Sequence, residues 1–347
     1  MNQPIQVLLA DDSPTILRMF TGLLASAPDI RVVGTASDGK EAVEKVQSLR
    51  PDVVTLDVRM PRMDGIDATQ RIMNEAPSRI LVISGAMDAE MSFKALQAGA
   101  LEVMPKPTPG KDGGLSSFGN QLIHTIRTMA EIPLAPRKLV LGHPVPPQML
   151  RGGRVNGFGL VAATGGPPAL AMLLSLLPPS LPYPIFIAQH VSVGFTSGLR
   201  QWLGAASPLQ LEMARTGTRP QPGHVYLAPD GHLMQVLTTG ELLVESVQGR
   251  HVTAGDTLLT SLARAHGNRA GGAVLTGMGT DGAMGLQAIR RAGGLTLVQN
   301  PESCVVPNMP EAAVRLGAPE ASLTIDAMAS AMRALSGALP TTLPLRS

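Results

Sequence analysis

Short apolar runs alternate with helical patterns in two separate series along this chain of 347 residues. In the first series the apolar runs are residues 7–10, 32–36, 53–56, 80–83 and 101–104. Strands that alternate with helices in this way form a parallel sheet with helices on both faces. The first series therefore predicts a doubly wound α/β domain over residues 1–130. Its last helix is expected around residues 122–129, with Ser116 or Ser117 as the cap.

The second series predicts another α/β domain with a parallel sheet, over residues 157–335. Its apolar runs are residues 185–188, 225–228, 273–276 and 295–298, and a helix is expected over residues 284–291. Between the two series, residues 131–156 are rich in proline and glycine, which is typical of an interdomain linker. Residues 336–347 are interpreted as a C-terminal tail.

The distribution of charge argues against nucleic-acid and membrane partners. The formal net charge is +2, and no dense run of lysine and arginine is present, so no nucleic-acid binding is expected. Residues 158–188 carry no charged side chain, but glycines and prolines interrupt them. We therefore expect no membrane insertion, and residues 169–177 are predicted to form a buried core segment.

The single cysteine, Cys304, rules out an internal disulfide and fits a reducing, cytoplasmic compartment. Cys304 itself is expected to be a small buried apolar residue. Residues 1–10 lack the basic start of a signal peptide, which supports the same cytoplasmic interpretation.

Polar side chains follow the predicted strands of the first series. Asp11 and Asp12 follow the first strand, Asp57 the third, Ser84 the fourth and Lys106 the fifth. These strand ends converge at one edge of a doubly wound sheet. Three carboxylates in one place repel each other unless a cation joins them, and oxygen ligands suit Mg²⁺. A carboxylate nucleophile, a metal, a hydroxyl and a lysine form a set for phosphoryl transfer.

The segments "LLADDS", "LDVRMPRMDG", "ISG" and "MPKP" resemble a response-regulator receiver domain across residues 5–130. The resemblance implies a flavodoxin-like fold in which Asp57 accepts a phosphoryl group from a histidine kinase. It also implies that Mg²⁺ is bound by Asp11, Asp12 and Asp57 with the backbone carbonyl of Arg59, and that Ser84 and Lys106 contact the acyl phosphate. One departure is Val103, where receivers often carry an aromatic switch residue.

Three segments of the second series place reactive residues at strand-to-helix turns: "AATGGPPAL", "IAQHVSVGFTSGL" and "LTGMGTDGAMGL". His190 follows a strand and Asp281 lies in a glycine-rich turn, as a base and its orienting acid do in hydrolase triads. Backbone N–H groups at such turns can hold an oxyanion. The candidate groups are those of Gly165, Gly166, Met278 and Gly279. The side chains of Met278 and Met284 are expected in the core.

These segments, with "HVTAGDTLLTSLA" and "CVVPNMPEAAVRLG", resemble the chemotaxis protein-glutamate methylesterase (CheB) family over about residues 157–335. The resemblance implies an α/β sheet sandwiched by helices and hydrolysis of glutamate methyl esters on chemoreceptors. Many members also deamidate receptor glutamines. No cofactor is expected in this domain.

The chain departs from that family at the nucleophile. The family reads Ser-Thr-Gly-Gly, whereas this chain has Ala163 followed by Thr164 and two glycines. Two hypotheses follow. In the first, Thr164 or a bound water attacks the ester, with His190 and Asp281 as base and orienting acid. In the second, the chain accepts phosphate and binds receptors without turnover. A DNA-binding response regulator is excluded, because the second half is too large and too rich in strands.

Overall fold

The computed structural model describes residues 3–85, 88–107, 114–132, 155–247 and 253–335. Contacts divide the chain into two compact units, Met1–Pro136 with Ser192–Leu199 and Arg137–Val191 with Arg200–Ser347. Apart from its two ends, the predicted linker over residues 131–156 lies outside the described residues, as does the whole predicted tail over residues 336–347.

The first domain is built from five strands and the helices between them. In chain order these elements are β1 (Ile5–Ala10), α1 (Pro14–Leu24), β2 (Ile30–Ala36), α2 (Gly39–Leu49), β3 (Val53–Leu56), α3 (Gly65–Glu75), β4 (Arg79–Ser84), α4 (Ala89–Ala98), β5 (Glu102–Pro105) and α5 (Gly114–Ala130). All pairings are parallel and the strand order is β2-β1-β3-β4-β5. This is the flavodoxin-like order, so the predicted doubly wound fold is confirmed.

Polar side chains fix the starts of α1, α2 and α3. Ser13, Asp38 and Asp64 each accept a backbone N–H from the first turn of the helix that follows, at 3.4, 3.0 and 2.9 Å. Such caps satisfy N–H groups that have no partner inside the helix. The cap predicted for the last helix is wrong: α5 begins at Gly114, so Ser116 and Ser117 lie within its first turn.

The second domain contains a seven-stranded sheet and a separate hairpin. Its elements are β6 (Gly157–Ala162), α6 (Gly166–Ser175), β7 (Ile185–Gln189), α7 (Thr196–Ala206), β8 (Gln210–Met213), β9 (His224–Leu227), β10 (His232–Val236), β11 (Leu242–Ser246), α8 (Ala254–His266), β12 (Ala270–Val274), α9 (Ala283–Arg291), β13 (Leu295–Gln299), α10 (Asn308–Arg315), β14 (Ala321–Leu323) and α11 (Ile325–Ala334). The large sheet has the order β14-β13-β12-β6-β7-β9-β8, and all its pairings are parallel. The hairpin β10-β11 is antiparallel and was not predicted.

Strand β12 begins at Ala270, before the predicted run of residues 273–276. The apolar pattern misses its start because Gly271 and Gly272 carry no apolar side chain. A Cβ on Gly271 would lie 2.3 Å from the Phe158 ring, and one on Gly272 would lie 2.7 Å from Ile289 Cδ1. Close packing on both faces of the strand therefore requires glycine here. The predicted strand, residues 273–276, therefore lies too far toward the C-terminus.

The core predictions for single residues are only partly right. Helix α6 buries Leu170, Leu173 and Leu174, but Met172 is 46% exposed. Met284 is 68% exposed, so its predicted core position is wrong, because the buried face of α9 carries Leu286 and Ile289 instead. Met278 and Cys304 are half-buried. Burial raises the pKa of the Cys304 thiol to about 12.

Among the described residues, no helix is both long and apolar enough to cross a bilayer.

We expect Gly65→Ala to destabilise the first domain by about 1–3 kcal/mol, as overpacking generally does. A Cβ at Gly65 would lie 2.2 Å from the Asp57 carbonyl oxygen and 2.7 Å from Val58 Cα, and backbone atoms cannot move aside as a flexible side chain can. Denaturant unfolding of the purified chain measures the change.

The matched control is Gly22→Ala, in the exposed part of α1, where a Cβ would have no neighbour within 4 Å. Alanine is favoured over glycine in helices, so this variant is expected to gain up to about 1 kcal/mol. Equal losses in both variants would contradict the proposed close contact at Gly65.

Candidate functional site

The first domain brings together acidic side chains from two strand ends and a lysine from a third. Asp11 and Asp12 follow β1, and Asp57 follows β3. One carboxylate oxygen from each of the three lies within 4.8 Å of the others. Lys106, after β5, places its Nζ 2.7 Å from Asp11 Oδ2 and 2.8 Å from Asp57 Oδ2. The predicted convergence of these residues is therefore what the structure shows.

Burial and neighbouring charge set the electrostatics of this pocket. Asp57 is 5% exposed, and its pKa is raised, chiefly by burial and further by the charge of Asp11, although Lys106 opposes the shift. Burial favours the neutral form of Lys106, but hydrogen bonds to Asp11 and Asp57 outweigh it and raise the pKa of the ammonium. A single ammonium thus partly neutralises two buried carboxylates. The set of oxygen donors fits a divalent cation such as Mg²⁺.

Ser84 is fully buried at the end of β4, where its hydroxyl is paired with that of Ser92 on α4 at 2.6 Å. The Ser92 hydroxyl donates to the Asp88 carbonyl at 3.1 Å. Ser92 has only one hydroxyl proton, so Ser84 is the donor in the pair. The hydroxyl predicted to contact an acyl phosphate is therefore bonded to α4 in this structure.

The turn between β6 and α6 is a sharp strand-to-helix connection at residues 163–166. Gly165 has a φ of 76°, in the left-handed region where glycine is favoured. A Cβ on Gly166 would lie 2.2 Å from Gln189 Oε1. Both glycines are therefore required by the turn. Ala163 is 8% exposed and Thr164 is half-buried.

Two residues outside the turn hold its backbone in place. Gln189 donates from Nε2 to the Ala163 carbonyl at 2.9 Å and to the His190 carbonyl at 2.8 Å. The Ala163 N–H donates to the Thr276 carbonyl at 3.1 Å, and the Thr276 hydroxyl donates to the Thr164 carbonyl at 3.0 Å. The turn is thereby tied to the ends of β7 and β12, which flank β6 in the sheet.

His190 and Asp281 form a hydrogen-bonded pair next to the strand ends. His190 follows β7, and its Nε2 lies 2.6 Å from Asp281 Oδ2. The imidazole is 45% exposed, whereas the carboxylate is 9% exposed. The arrangement gives an accessible base oriented by a buried acid, which is the relation of His to Asp in hydrolase triads.

The Asp281 carboxylate also accepts three backbone N–H groups. Gly255 donates to Oδ2, while Asp256 and Gly282 donate to Oδ1, each at 2.8 Å. Burial alone would raise the pKa of Asp281, but the hydrogen bond and charge of His190 and the N–H groups of Gly255 and Asp256 outweigh it and lower the pKa. Gly255 and Asp256 lie in the first turn of α8, whose positive end favours an anion. Asp281 is therefore ionised at neutral pH.

Comparisons with known proteins identify both domains. The family model described as CheB methylesterase matches residues 158–332, and the one described as response regulator receiver domain matches residues 7–112. The chain belongs to the CheB methylesterase family. A curated Myxococcus xanthus protein, named protein-glutamate methylesterase/protein-glutamine glutaminase 3, is 47% identical over 89% of this chain and 87% of its own length.

Two further members illustrate the range of similarity. A Nitrosospira multiformis protein-glutamate methylesterase/protein-glutamine glutaminase is 38% identical over 95% of this chain and 97% of its own length. The crystal structure of the Thermotoga maritima CheB methylesterase catalytic domain is 28% identical, covers 53% of this chain and 99% of that chain, and has a TM-score of 0.49. The presence of a receiver domain and a methylesterase domain in one chain rests on the two family models.

The backbone N–H groups predicted to hold an oxyanion differ in whether they already make a hydrogen bond within the protein. The Gly166 N–H donates to the Ala163 carbonyl at 2.8 Å, so the turn already uses it. No hydrogen bond within the described residues takes the N–H of Gly165, Met278 or Gly279. The expectation of an oxyanion site therefore rests on these three groups. The role of Thr164 as nucleophile stays a prediction.

Sequence reasoning missed the residues that support the site: Gln189, Thr276, Asp256 and Ser92. Gln189 directly precedes His190, and this adjacency is the one signal that could have drawn attention to it. Thr276 and Asp256 lie in segments that resemble the CheB family, but nothing in their spacing shows which backbone groups they contact. Such contacts depend on the tertiary approach of separate strands and helices.

We expect Thr276→Val to cost about 1–3 kcal/mol, the range for leaving buried hydrogen-bonding partners unsatisfied. The single proton of the Thr276 hydroxyl lies between the Thr164 carbonyl at 3.0 Å and the Val306 carbonyl at 3.2 Å, and its oxygen accepts the Val306 N–H at 2.9 Å. The valine would remove all of these bonds. Chemical denaturation monitored at the single tryptophan measures the change.

Thr296→Val is the matched control on β13. Thr296 is fully buried like Thr276, but its hydroxyl makes no hydrogen bond within the described residues. The same substitution is expected to be neutral or stabilising there. A loss at Thr296 equal to that at Thr276 would show that the hydrogen bonds of Thr276 do not hold the turn.

Proposed function

We propose that this chain is a phosphorylation-regulated chemotaxis adaptation protein that hydrolyses methyl esters of chemoreceptor glutamates and deamidates receptor glutamines. The observation that carries the proposal is the His190–Asp281 pair, with the carboxylate buried under the start of α8 and the imidazole exposed. The substrate follows from the family and from the names of the relatives. The proposal keeps the expected cytoplasmic location, where a phosphodonor kinase and receptor glutamates are found.

The hydrogen bond of His190 determines which of its nitrogens acts as the base. Asp281 is an ionised acceptor, so His190 donates from Nε2 and the neutral ring carries its lone pair on Nδ1. Nδ1 removes the proton from the attacking group, and the N–H groups of Gly165, Met278 and Gly279 hold the developing oxyanion. The imidazolium then protonates the departing methoxide, which leaves as methanol. Attack by water gives the free glutamate directly, whereas attack by Thr164 leaves an acyl-threonine that a second water, activated by Nδ1, hydrolyses.

The attacking group cannot be Ala163, because a methyl group is no nucleophile. Either Thr164, the neighbouring hydroxyl, or a water activated by His190 takes that role. Loss of the serine in a hydrolase triad costs roughly six orders of magnitude in kcat, and about 10³–10⁴ over water remains from binding and the oxyanion site. Turnover of the native chain is therefore expected to be slow.

Ala163 also favours a second candidate function, in which the chain binds receptors without turning them over. This function needs the intact turn and phosphoacceptance on Asp57, but no nucleophile. Methanol release from methylated receptor, measured with and without phosphorylation, separates the two. Phosphorylation-dependent release supports the hydrolase, and binding without release supports the regulator.

We expect Ala163→Ser to raise methanol release by at least about 100-fold, well within the scale of nucleophile effects. The serine would supply a hydroxyl to a site that keeps its base, its acid and its turn. Thr164→Ala is expected to leave the low activity of the native chain almost unchanged. A fast native chain that gains nothing from serine but fails with Thr164→Ala would instead make Thr164 the nucleophile.

The control for this gain is His190→Ala combined with Ala163→Ser. If serine works through the His190–Asp281 pair, removing the imidazole abolishes the increase. Persistence of the increase without His190 would contradict the proposed mechanism.

In the first domain we propose that Asp57 accepts a phosphoryl group from a histidine kinase. Asp11, Asp12 and Asp57, with the Arg59 carbonyl, would hold Mg²⁺, which neutralises charge on the phosphoryl oxygens. Lys106 already lies against Asp57 and can contact an acyl phosphate there. Ser84 can do so only after its hydroxyl leaves Ser92, since its proton is used in that bond.

Asp57→Asn is expected to abolish phosphoacceptance, because an amide is a poor nucleophile. Incorporation of label from a phosphorylated kinase or from acetyl phosphate measures it. Asp64→Asn is the matched control. Asp64 caps α3 a few residues further along the same loop, and asparagine caps helices equally well. Native labelling of Asp57→Asn, or a loss in both variants, would show that the phosphoacceptor has been misassigned.

A further inference from the structure

Asp256 lies behind the His190–Asp281 pair, and neither the motifs nor the proposed chemistry gives it a role. It is a half-buried residue in the first turn of α8. Its backbone N–H donates to Asp281 Oδ1 at 2.8 Å. Its own carboxylate accepts the N–H of Gly285, in the first turn of α9, at 2.7 Å. Asp256 thus touches Asp281 directly but does not touch His190 through any described hydrogen bond.

The two aspartates bind the starts of each other's helices. Asp281 precedes α9 and accepts N–H groups from the first turn of α8, while Asp256 belongs to α8 and accepts an N–H from the first turn of α9. Each carboxylate satisfies donors that have no partner within the helix. The two helix starts are therefore fixed relative to each other by reciprocal hydrogen bonds.

Close packing leaves these helix starts little room to move. A Cβ on Gly285 would lie 2.9 Å from Asp256 Cα, and one on Gly255 would lie 3.0 Å from Asp281 Oδ2. There is thus no free space for a side chain at either glycine. A change in the length of the Asp256 side chain is thus transmitted to α9 and to the loop that carries Asp281.

Opposing influences act on the charge of Asp256. Burial raises the pKa of Asp256, the Gly285 N–H lowers it, and the charge of Asp281 raises it again. The starts of α8 and α9 favour an anion, so they offset the repulsion from Asp281. The residue also supplies acceptor oxygens, with the Gly285 N–H at 2.7 Å and further bonds from the Met284 N–H and the Thr253 hydroxyl.

We propose that Asp256 is a positioning residue, which holds Asp281 through α9 so that His190 keeps its proton on Nε2 and its lone pair on Nδ1. Geometry is the active property, and the negative charge is not required. The inference deepens the proposed hydrolase, because a displaced Asp281 would let the imidazole carry its proton on the nitrogen that has to act as base.

The test reads the tautomer of His190 by proton–nitrogen NMR on the full chain labelled with ¹⁵N-histidine, at about pH 8.5, where imidazoles are neutral. His190→Gln assigns the signal. Asp256→Asn keeps the acceptor oxygen without charge, Asp256→Glu keeps the charge but moves the oxygen by one methylene group, and Asp256→Ala removes both.

We expect Asp256→Asn to keep the native ratio of the Nε2–H to the Nδ1–H form. Asp256→Glu and Asp256→Ala should lower that ratio about fivefold, the change expected from one lost hydrogen bond. Thermal melts and the other histidine signals check that each variant is folded. Should Asp256→Ala fail to fold, the contrast between Asn and Glu still decides between geometry and charge.

Asp326→Ala is the matched control, because Asp326 is also an acid in the first turn of a helix of this domain, α11, and accepts the Thr324 hydroxyl. It should leave the His190 signal unchanged even if it lowers the melting temperature. A native ratio in Asp256→Glu, a changed ratio in Asp256→Asn, or an equal change in Asp326→Ala would each overturn the proposal. The readout needs no turnover, so failure of the proposed hydrolase activity is seen separately, as absent methanol release with a normal His190 signal.

Discussion

The Asp281 carboxylate is the group on which the second domain's site depends. A buried carboxylate is stable as an anion only when its oxygens receive enough donors, and here three backbone N–H groups and one imidazole supply them. These donors come from the starts of α8 and α9 and from the end of β7. Ionisation of one side chain is thus coupled to the arrangement of three separate elements. The direction of His190 follows from that arrangement.

The alternating pattern predicted the first sheet well because its strands are continuous apolar runs. Strand β3 matches its prediction residue for residue, β4 extends one residue beyond its prediction at each end, and β5 is displaced by one residue. The sequence pattern does not predict the hairpin β10-β11, because its strands mix polar and apolar residues and many of these are only partly buried. The prediction for strand β12 is wrong by several residues, because tight packing requires glycine in the strand and glycine gives no apolar signal in the sequence.

The candidate sites could be predicted only at the level of their reactive side chains. Acids at strand ends, the histidine after β7 and the aspartate in a glycine-rich turn are visible in the sequence, because topology brings strand ends together. Their hydrogen-bonding partners are not visible in this way. Gln189, Thr276 and Asp256 act through backbone groups that are far away in the chain, and no local spacing shows such contacts. The bond between Ser84 and Ser92 is similarly hidden, although it decides where the Ser84 hydroxyl lies.

The turn at residues 163–166 is held by its glycines and by bonds to its backbone, and the side chain of Ala163 makes none of these bonds. The shape of the turn and the chemistry at its apex are therefore separable properties. Because Ala163 is buried and packs in the core, only a side chain close to a methyl group in size could replace it without disturbing the structure around it. A single small substitution at this position therefore changes the reactive group of the turn and leaves the hydrogen bonds that shape it in place.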